Sequence, residues 1–344
     1  MLNNILSDAE CTLLRSRIQS ANHIVICCHT SPDGDAIGSS LGFSEYLSTL
    51  GKNPCVIVPN AFPDFLRWMP GTEKILRYDK HTDIANAIIA DSDLLFCLDF
   101  NEIKRVEGMS DVLNSSKAEK VMFDHHLNPL MDCILTVSHP EMCSTCEVVF
   151  RIIWQLGGYE SMTSHCAAPL YGGMMTDTGG FTYNSNSRDV YFIISQLLGK
   201  GIDKDKIYRN VYYNYSEWRM RLMGYIMYKK LVVFPEQHAA FFTITKNEMR
   251  RFHFIKGDAE GLVNMPLQIK GTKLSISLRE DTEKDNLIRV SLRSVDNFPC
   301  NKMSEAYFNG GGHLNASGGE LHCNMDEAID IVKQAIVHFE EQLR

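Results

Sequence analysis

The sequence predicts an α/β fold in two parts: a parallel-sheet N-terminal domain joined by a helical connector to a smaller α/β C-terminal domain. Three observations lead to this prediction. The chain has 344 residues, which is long for a single domain. Its first half alternates short, wholly apolar runs with amphipathic helical stretches, a pattern typical of a parallel sheet covered on both faces. A second group of strand-like runs begins near residue 236.

The predicted strands of the N-terminal domain are apolar along nearly their whole length, which is typical of a parallel sheet that is buried on both faces. They are Ile24–Cys28, Cys55–Val58, Leu94–Leu98, Lys120–Phe123 and Cys133–Val137. Helical periodicity separates them, as at Ile37–Leu50 and Cys146–Leu156. In such sheets, ligands bind at the carboxyl ends of the strands.

The remainder of the chain is first helical and then mixed. Helical patterns cover Asp189–Leu198, Lys204–Tyr213 and Glu217–Val232. The C-terminal strands are predicted at Phe241–Thr245, Leu274–Leu278 and Leu287–Leu292, and an amphipathic helix at Met325–Leu343 closes the chain. The predicted domains are therefore 1–187 and 236–344, with 188–235 as the connector.

Charge is distributed unevenly along the chain. Residues 1–199 carry 13 Lys and Arg against 23 Asp and Glu, whereas residues 200–230 carry 8 against 3. The acidic first part argues against a broad duplex-binding surface, which would be basic, and suits a site that takes up cations. The basic stretch could attract a phosphate-bearing ligand, although a solvated helix face explains it equally well.

The sequence predicts a cytoplasmic protein that does not enter a membrane. The N-terminus lacks the basic region and long apolar core of a signal peptide, and no apolar run approaches roughly 18 residues. The eleven cysteines are odd in number and scattered, which suits a reducing compartment. The one Cys-x-x-Cys, Cys143 to Cys146, has no second pair and is typical of a helix start capped by Ser or Thr. The oligomeric state is left open, with a homodimer among the alternatives.

Aspartate and histidine recur where apolar segments end, and this recurrence is the main functional signal in the sequence. A lone Asp or His after a strand is usually a polar loop residue, but here four segments end in this way. The residues concerned are His29, Asp33 and Asp35 after the first strand, Asp99, the run Asp124–His126, and Asp177 at the end of a helical segment.

Carboxylates held this close repel one another and lose solvation unless a cation lies among them. Six side chains are candidate ligands, which is more than one tetrahedral zinc ion requires. Their oxygen and imidazole donors suit a pair of Mn²⁺ or Mg²⁺ ions, and two such ions are a common arrangement for cleaving phosphate esters. The six are His29, Asp33, Asp35, Asp99, His125 and Asp177.

A glycine-rich segment near the C-terminus is a second candidate site. Gly310-Gly311-Gly312 precedes His313, and bare backbone of this kind can approach a phosphate or a base closely. A glycine triplet alone is a weak signal, but basic side chains on nearby strands strengthen it. These are Arg279, Arg289 and Arg293, although a solvated-edge position is equally compatible with Arg289.

Two sets of motifs carry a resemblance to a known family. Asp124-His125-His126, together with residues 29–39, strongly resembles the DHH phosphoesterase superfamily. Residues 290–294 and 310–319 resemble the DHH-associated C-terminal domain. Over essentially the whole chain, the sequence is similar to the small bacterial NrnA-type oligoribonucleases and 3′-phosphoadenosine-5′-phosphate phosphatases.

The resemblance implies a role for each motif residue. One metal ion would take His29, Asp33, Asp99 and Asp177, and the other Asp35, Asp99, His125 and Asp177. His126 would face the scissile phosphate, and Asp124 would orient an imidazole ring. The substrate-binding residues would be Arg293, Ser294, Gly311, Gly312 and His313, with Arg105 as a further phosphate contact.

The function predicted from this resemblance is a two-metal phosphohydrolase, with Mn²⁺ favoured over Mg²⁺. It would release mononucleotides from short RNA or linear dinucleotides and also dephosphorylate adenosine bisphosphate. Three alternatives stay open: a cyclic di-adenylate phosphodiesterase, a pyrophosphatase or exopolyphosphatase, and a non-catalytic nucleotide-binding module. The glycine-rich segment disfavours the pyrophosphatase, and the full set of metal ligands disfavours the non-catalytic module.

Overall fold

The computed structural model describes residues 2–255 and 257–344, and the chain divides into two compact units. These are Met1–Asn214 and Tyr215–Arg344. The predicted connector, 188–235, does not form a unit of its own, since the boundary at 214 and 215 divides it between the two units.

The first unit is an α/β layer structure built on one parallel sheet. Its strands are β1 (Ile24–Cys27), β2 (Cys55–Val58), β3 (Leu76–Arg77), β4 (Leu94–Leu98), β5 (Glu119–Asp124) and β6 (Leu135–Ser138). Its helices are α1 (Asp8–Ser20), α2 (Gly34–Thr49), α3 (Thr82–Asp91), α4 (Ser110–Ser115), α5 (Thr145–Gln155), α6 (Ser164–Asp177), α7 (Arg188–Gly199) and α8 (Lys204–Tyr212). The strand order is β3-β2-β1-β4-β5-β6 and every pairing is parallel, which confirms the predicted sheet.

The central strands are buried on both faces of the sheet, which explains why apolar and polar residues do not alternate along them. Every residue of β1 and β4 is buried. Neighbouring residues belong to different core clusters: Ile26 and Phe96 pack on one face of the sheet, and Cys27 and Leu95 on the other. Both faces therefore exclude water, and only the strand ends are available to polar side chains.

Helices α2 and α6 pack against each other at unusually short range. Gly34, Gly38 and Gly42 recur at every fourth position of α2, so they share one face of the helix. A Cβ atom at Gly38 would lie 2.5 Å from the carbonyl oxygen of Pro169 in α6. Gly34 faces Thr176 near the end of α6, so the end of α6 lies beside the start of α2.

The second unit is built on a mixed sheet of six strands. They are β7 (Val232–Phe234), β8 (Ala239–Ile244), β9 (Leu274–Glu280), β10 (Ile288–Ser294), β11 (Gly311–Gly312) and β12 (Ala316–Leu321). The helices are α9 (Glu217–Tyr225), α10 (Lys246–Arg251), α11 (Cys300–Tyr307), α12 (Met325–His338) and α13 (Glu340–Leu343). The strand order is β11-β12-β10-β9-β8-β7, with β8 and β9 parallel and the other pairs antiparallel, which confirms the predicted α/β class.

The remaining helical segments are short. Four are 3₁₀ helices, at Asp64–Leu66, Thr72–Lys74, Ile103–Met109 and Leu262–Gln268, and one is a π-helix, at Ile226–Lys230. Within the described residues, none of the helices combines the length and apolar character that crossing a bilayer requires.

The glycine contact between α2 and α6 gives a first prediction. Gly38→Ala places a methyl group against the Pro169 carbonyl, so the two helices must separate. We expect the free energy of unfolding to fall by about 1–3 kcal/mol, as overpacked cores do. Chemical denaturation measures this loss. Gly224→Ala is the matched control, because a Cβ atom at that position of α9 meets no atom within 4 Å. Equal stability of the two variants would contradict the close-packing argument.

Candidate metal centre

The candidate centre lies at the carboxyl edge of the parallel sheet. Strands β1, β4 and β5 are neighbours in the sheet. His29 lies two residues after β1, Asp99 directly follows β4, and Asp124 is the last residue of β5. Asp177 is the last residue of α6 and reaches the same edge, because α6 ends beside the start of α2. The structure thus brings together side chains that are up to 148 residues apart in sequence.

One group of ligand atoms surrounds His29. Its Nε2 atom lies 3.3 Å from Oδ2 of Asp99 and 3.8 Å from Oδ2 of Asp33. Ligand atoms from these three residues all lie within 4.8 Å of one another, close enough to hold one metal ion.

A second group surrounds His125. Its Nε2 atom lies 3.7 Å from Oδ2 of Asp35, 3.7 Å from Oδ1 of Asp99 and 3.5 Å from Oδ2 of Asp177. The two oxygens of Asp99 therefore face different histidines, Oδ2 toward His29 and Oδ1 toward His125. One carboxylate shared by two groups of ligands is the arrangement that a pair of adjacent ions needs.

Backbone carbonyls orient both imidazole rings. The Nδ1 atom of His29 lies 2.8 Å from the carbonyl oxygen of Thr30, and that of His125 lies 3.3 Å from the carbonyl oxygen of Met142. A carbonyl oxygen only accepts hydrogen bonds, so each Nδ1 is the donor. Because Nδ1 is occupied in this way, Nε2 is the ring nitrogen that each histidine can offer to a metal ion.

The N-terminus of α5 holds the two most buried candidate ligands. The backbone N–H groups of Thr145 and Cys146 donate to the two oxygens of Asp35, at 2.6 and 2.8 Å. The Thr145 hydroxyl donates to Oδ1 of Asp99 at 2.8 Å. Ser144 caps this helix, as the sequence predicts. Sequence reasoning missed the role of Thr145, because its partners lie 110 and 46 residues away.

The centre is closed on one side and open on the other. The side chains of Asp35 and Asp99 are 1% and 2% exposed, whereas those of Asp33 and Asp177 are 54% and 30% exposed. Asp33 also caps α2: its Oδ1 atom accepts the N–H groups of Asp35 and Ala36 at 3.0 Å. A phosphate group could therefore reach the centre from the side of Asp33 and Asp177.

The histidines of the centre respond strongly to the surrounding negative charge. Burial lowers the pKa of His29, but hydrogen bonding to Asp99 and the charges of Asp33 and Asp99 outweigh it and raise the pKa to about 9. Burial also lowers the pKa of His125, and the charges led by Asp177 and Asp35 raise it to about 9. The centre therefore attracts positive charge.

Two of the carboxylates show the same imbalance. Burial raises the pKa of Asp35 far above its usual range, and the charges of Asp99 and Asp177 raise it further. Burial also raises the pKa of Asp177, to about 7, against the opposing effect of His125. Asp99 differs: burial raises its pKa, but the neighbouring histidines hold it below the usual range. Divalent ions would offset the repulsion between these buried carboxylates, since the ions neutralise the negative charge in place of protons. The donor set therefore fits such ions.

His126 and Asp124 form a pair beside the centre. Asp124 is fully buried, and its two oxygens accept from the backbone N–H of His126 at 3.0 Å and from its Nδ1–H at 2.7 Å. The ring orientation of His126 is therefore set by Asp124. Arg105 is also close: its carbonyl accepts the N–H of Thr30 at 2.7 Å, and its positive charge opposes the raised pKa of His29.

The substrate-binding candidates of the second unit lie around β10, β11 and β12. Arg293 is half-buried on β10. Ser294 is buried, and its hydroxyl donates to the Phe298 carbonyl and accepts from the Asn315 side chain, so it stabilises this turn. A Cβ atom at Gly311 would meet nothing within 4 Å, so a ligand could approach the backbone there. The other two candidates are Gly312 and His313, where β11 ends.

Some residues that the sequence analysis considered have structural roles. Arg289 forms ion pairs with Asp281 and Glu320, at 2.8 and 2.9 Å, which accounts for its charge. Cys143 and Cys146 are buried, and burial raises the pKa of both thiols, so they stay protonated. A protonated thiol is a poor nucleophile and metal ligand.

Fold and site together define a two-domain α/β protein with a carboxylate–imidazole centre at the carboxyl edge of a parallel sheet. Residues 23–174 match the DHH family N-terminal domain, and residues 241–338 match the DHHA1 domain. The chain belongs to the DHH phosphoesterase family, which confirms the resemblance seen in its motifs.

Three known proteins show what this chain is similar to. It is 50% identical to an exopolyphosphatase-related protein from Bacteroides fragilis, whose crystal structure matches with a TM-score of 0.95 over 99% of both chains. It is 28% identical over 315 residues to the bifunctional oligoribonuclease and PAP phosphatase NrnA of Thermus thermophilus, covering 91% of this chain and 89% of that protein. RecJ of Thermus thermophilus, solved with Mn²⁺, is 11% identical with a TM-score of 0.56 over 96% of this chain and 54% of RecJ, and shares the fold.

Thr145 gives the prediction of this subsection. Thr145→Val removes the hydroxyl that holds Asp99 but keeps the N–H that holds Asp35, so one candidate ligand loses its orientation. We expect Mn²⁺ affinity, measured by calorimetric titration, to fall about 10- to 100-fold, as it does when such supporting contacts are lost. Thr145→Ser keeps the hydroxyl and should bind Mn²⁺ as the parent does. Equal Mn²⁺ affinities in Thr145→Val and the parent would show that the Thr145 hydroxyl does not support metal binding.

Proposed function

We propose that the protein is a two-metal phosphohydrolase that releases mononucleotides from very short RNA or linear dinucleotides and also dephosphorylates 3′-phosphoadenosine-5′-phosphate. The observation that carries the proposal is the position of Asp99, whose two oxygens face two separate groups of ligand atoms. The similarity to an oligoribonuclease and PAP phosphatase over nine-tenths of the chain supports the choice of substrates.

The proposed ligands divide around this shared carboxylate. His29, Asp33 and Asp99 would hold one ion, and Asp35, Asp99 and His125 the other, with Asp177 serving both. The mixture of oxygen and imidazole donors favours Mn²⁺, with Mg²⁺ as the alternative. When bound, such ions neutralise phosphoryl oxygens and make a water molecule more acidic.

The residues around the ions would orient the substrate. Asp124 accepts a hydrogen bond from Nδ1–H of His126, so the ring in its protonated form would present Nε2–H to the phosphate as a hydrogen-bond donor. Arg105 would contribute positive charge to a non-reacting phosphoryl oxygen. In the second unit, Arg293 and the open backbone at Gly311 would bind the far end of the substrate. His313 and Gly312 would bind the same end of the substrate. Ser294 would stabilise the turn that directly follows Arg293.

A second candidate is an exopolyphosphatase, because the relative from Bacteroides fragilis is described as exopolyphosphatase-related. The glycine-rich segment of the second unit favours a nucleotide as the substrate. Its open backbone would bind a nucleoside, and such a binding site would contribute little to the affinity for inorganic phosphate. A cyclic di-adenylate phosphodiesterase stays an alternative. Assays on di-adenylate, cyclic di-adenylate, adenosine bisphosphate and polyphosphate with Mn²⁺ separate the four activities. Faster turnover of polyphosphate than of di-adenylate would overturn the proposal.

The shared carboxylate gives the first prediction for this function. Asp99→Asn should lower kcat on di-adenylate by several orders of magnitude, because an amide cannot bridge two cations. Asn tolerates the left-handed backbone of Asp99, whose φ is 65°, so we expect the fold to survive. Asp83→Asn, an exposed aspartate in α3, is the control. Parent-like activity in Asp99→Asn, or in excess chelator, would refute the two-metal mechanism.

The adjacent histidines give the second prediction. His126→Ala should lower kcat about 100-fold or more, because it removes a donor to the phosphate, but it should retain the Mn²⁺ content of the parent. His125→Ala should lose both activity and metal. Metal analysis of the purified variants, beside their kinetics, distinguishes the two roles. Equal loss of metal in both variants would mean that the roles are assigned wrongly.

The third prediction concerns the residues that would bind the far end of the substrate. Arg293→Ala and His313→Ala should reduce kcat/KM on di-adenylate about ten-fold or more, because remote contacts also position the reacting phosphate. Hydrolysis of bis-p-nitrophenyl phosphate should change far less, because this phosphodiester is too small to contact those residues while it reacts. Arg289→Ala is the matched control, an arginine on the same strand that is engaged in ion pairs. Equal losses on both substrates would contradict this role.

A further inference from the structure

A group of tyrosines surrounds the turn that directly follows Asp177. We call Tyr183, Tyr208 and Tyr213 the tyrosine surface. Tyr183 follows the turn at Gly179 and Gly180, and Tyr208 and Tyr213 lie on and just after α8. The proposed metal centre does not include these residues.

Close contacts tie the tyrosine surface to the turn. A Cβ atom at Gly179 would lie 2.6 Å from the ring of Tyr183, so this ring packs directly over the glycine backbone. A Cβ atom at Gly180 would lie 3.8 Å from the ring of Tyr208. The ring centroids of Tyr208 and Tyr213 are 5.4 Å apart. Two of the rings, Tyr183 and Tyr208, therefore border one glycine turn, and Tyr213 packs against Tyr208.

Tyr212 anchors α8 to the helix that carries Asp177. Its hydroxyl donates to the carbonyl oxygen of Met175 at 3.1 Å, two residues before Asp177. Its ring also lies 4.7 Å from that of Tyr208, centroid to centroid. Helix α8, which carries Tyr208, is thus attached to the helix that ends at Asp177.

The exposure of these rings is not explained by packing. Tyr183 and Tyr208 are each 41% exposed and Tyr213 is 71% exposed, whereas Ile207 and Val211 form the buried face of the same helix. An aromatic side chain has few rotatable bonds, so an exposed ring that is already ordered binds a ligand at low entropic cost.

The charge beside the tyrosine surface suits a polyanion. Lys206 and Arg209 are exposed on α8, and neither belongs to an ion pair within the described residues that reaches 4.0 Å. Lys204 differs, because it pairs with Asp205 at 2.6 Å. Aromatic faces beside exposed cations are the combination with which proteins bind single-stranded nucleic acid.

The glycine turn is also close enough to Asp177 for one short oligonucleotide to reach both. Gly180 is three residues from Asp177, so their Cα atoms are at most about 11 Å apart. Stacked bases follow one another at about 3.4 Å, so a strand whose phosphate lies at Asp177 has bases within reach of the rings.

We propose that the tyrosine surface is a nucleobase-stacking subsite, which binds bases of a short oligonucleotide while one of its phosphates lies at the metal centre. The inference rests on the proposed function and names how that site selects nucleic acid. Inorganic polyphosphate has the charge to interact with Lys206 and Arg209 but no π-face to stack on the rings.

The test is binding of two ligands that differ only in their bases. They are phosphorothioate-linked tetra-adenylate and an abasic tetramer of the same charge, each titrated into the Mn²⁺-loaded protein. Tyr208→Ala and Tyr213→Ala should raise the dissociation constant of tetra-adenylate about ten-fold and leave that of the abasic tetramer unchanged. Tyr208→Phe and Tyr213→Phe keep the ring and should bind as the parent does.

Tyr228→Ala is the matched control, since this tyrosine is 81% exposed in the second unit. Equal binding in Tyr208→Ala, Tyr213→Ala and Tyr228→Ala would overturn the subsite and leave the proposed hydrolase intact. So would an equal loss of both ligands, or a change in oligomeric state with binding unaltered. A parent protein that neither binds tetra-adenylate nor hydrolyses any phosphodiester would instead refute the proposed function.

Discussion

Two buried carboxylates, Asp35 and Asp99, impose the constraint on which the first unit depends. Removing a carboxylate from water is costly unless hydrogen bonds and opposite charges replace its hydration. The N-terminus of α5 supplies three hydrogen bonds to this pair, and His29 and His125 supply the nearest groups that can carry positive charge. Raised pKa values at Asp35 and both histidines show that these contacts leave negative charge uncompensated.

The sequence predicted the sheet because its physical cause is local. A strand buried on both faces must be apolar throughout, and a polar residue at its end must lie at the sheet edge, so Asp99 and Asp124 could be located from sequence alone. Strands β3, β7, β11 and β12 were missed, since β3, β7 and β11 have only two or three residues, and β11 and β12 contain glycines, which weaken strand patterns. The single helix predicted at Met325–Leu343 is interrupted at Phe339.

The supporting part of the centre could not be predicted, because it depends on contacts between distant segments. Thr145 resembles an ordinary helix start in sequence, and its hydroxyl gains a role only when Asp99 lies beside it. Gly38 likewise belongs to an unremarkable helix until Pro169 packs on it. The motif at Asp33–Asp35 supplies candidate ligands, whereas Thr145 and Gly38 take part in the contacts that bring the segments carrying such ligands together. The tyrosines after Asp177 are a further case, since Tyr183 and Tyr208, which are 25 positions apart, lie against the same glycine turn.

The central claim is that the carboxylate–imidazole cluster holds two divalent ions around Asp99. Crystals grown with Mn²⁺ and measured at the manganese absorption edge test it directly, because anomalous scattering locates the ions without reference to activity. We expect two anomalous peaks, one bounded by His29 and Asp33 and the other by His125 and Asp35, with Asp99 contacting both. A single peak, or two peaks elsewhere in the chain with none beside Asp99, would contradict it.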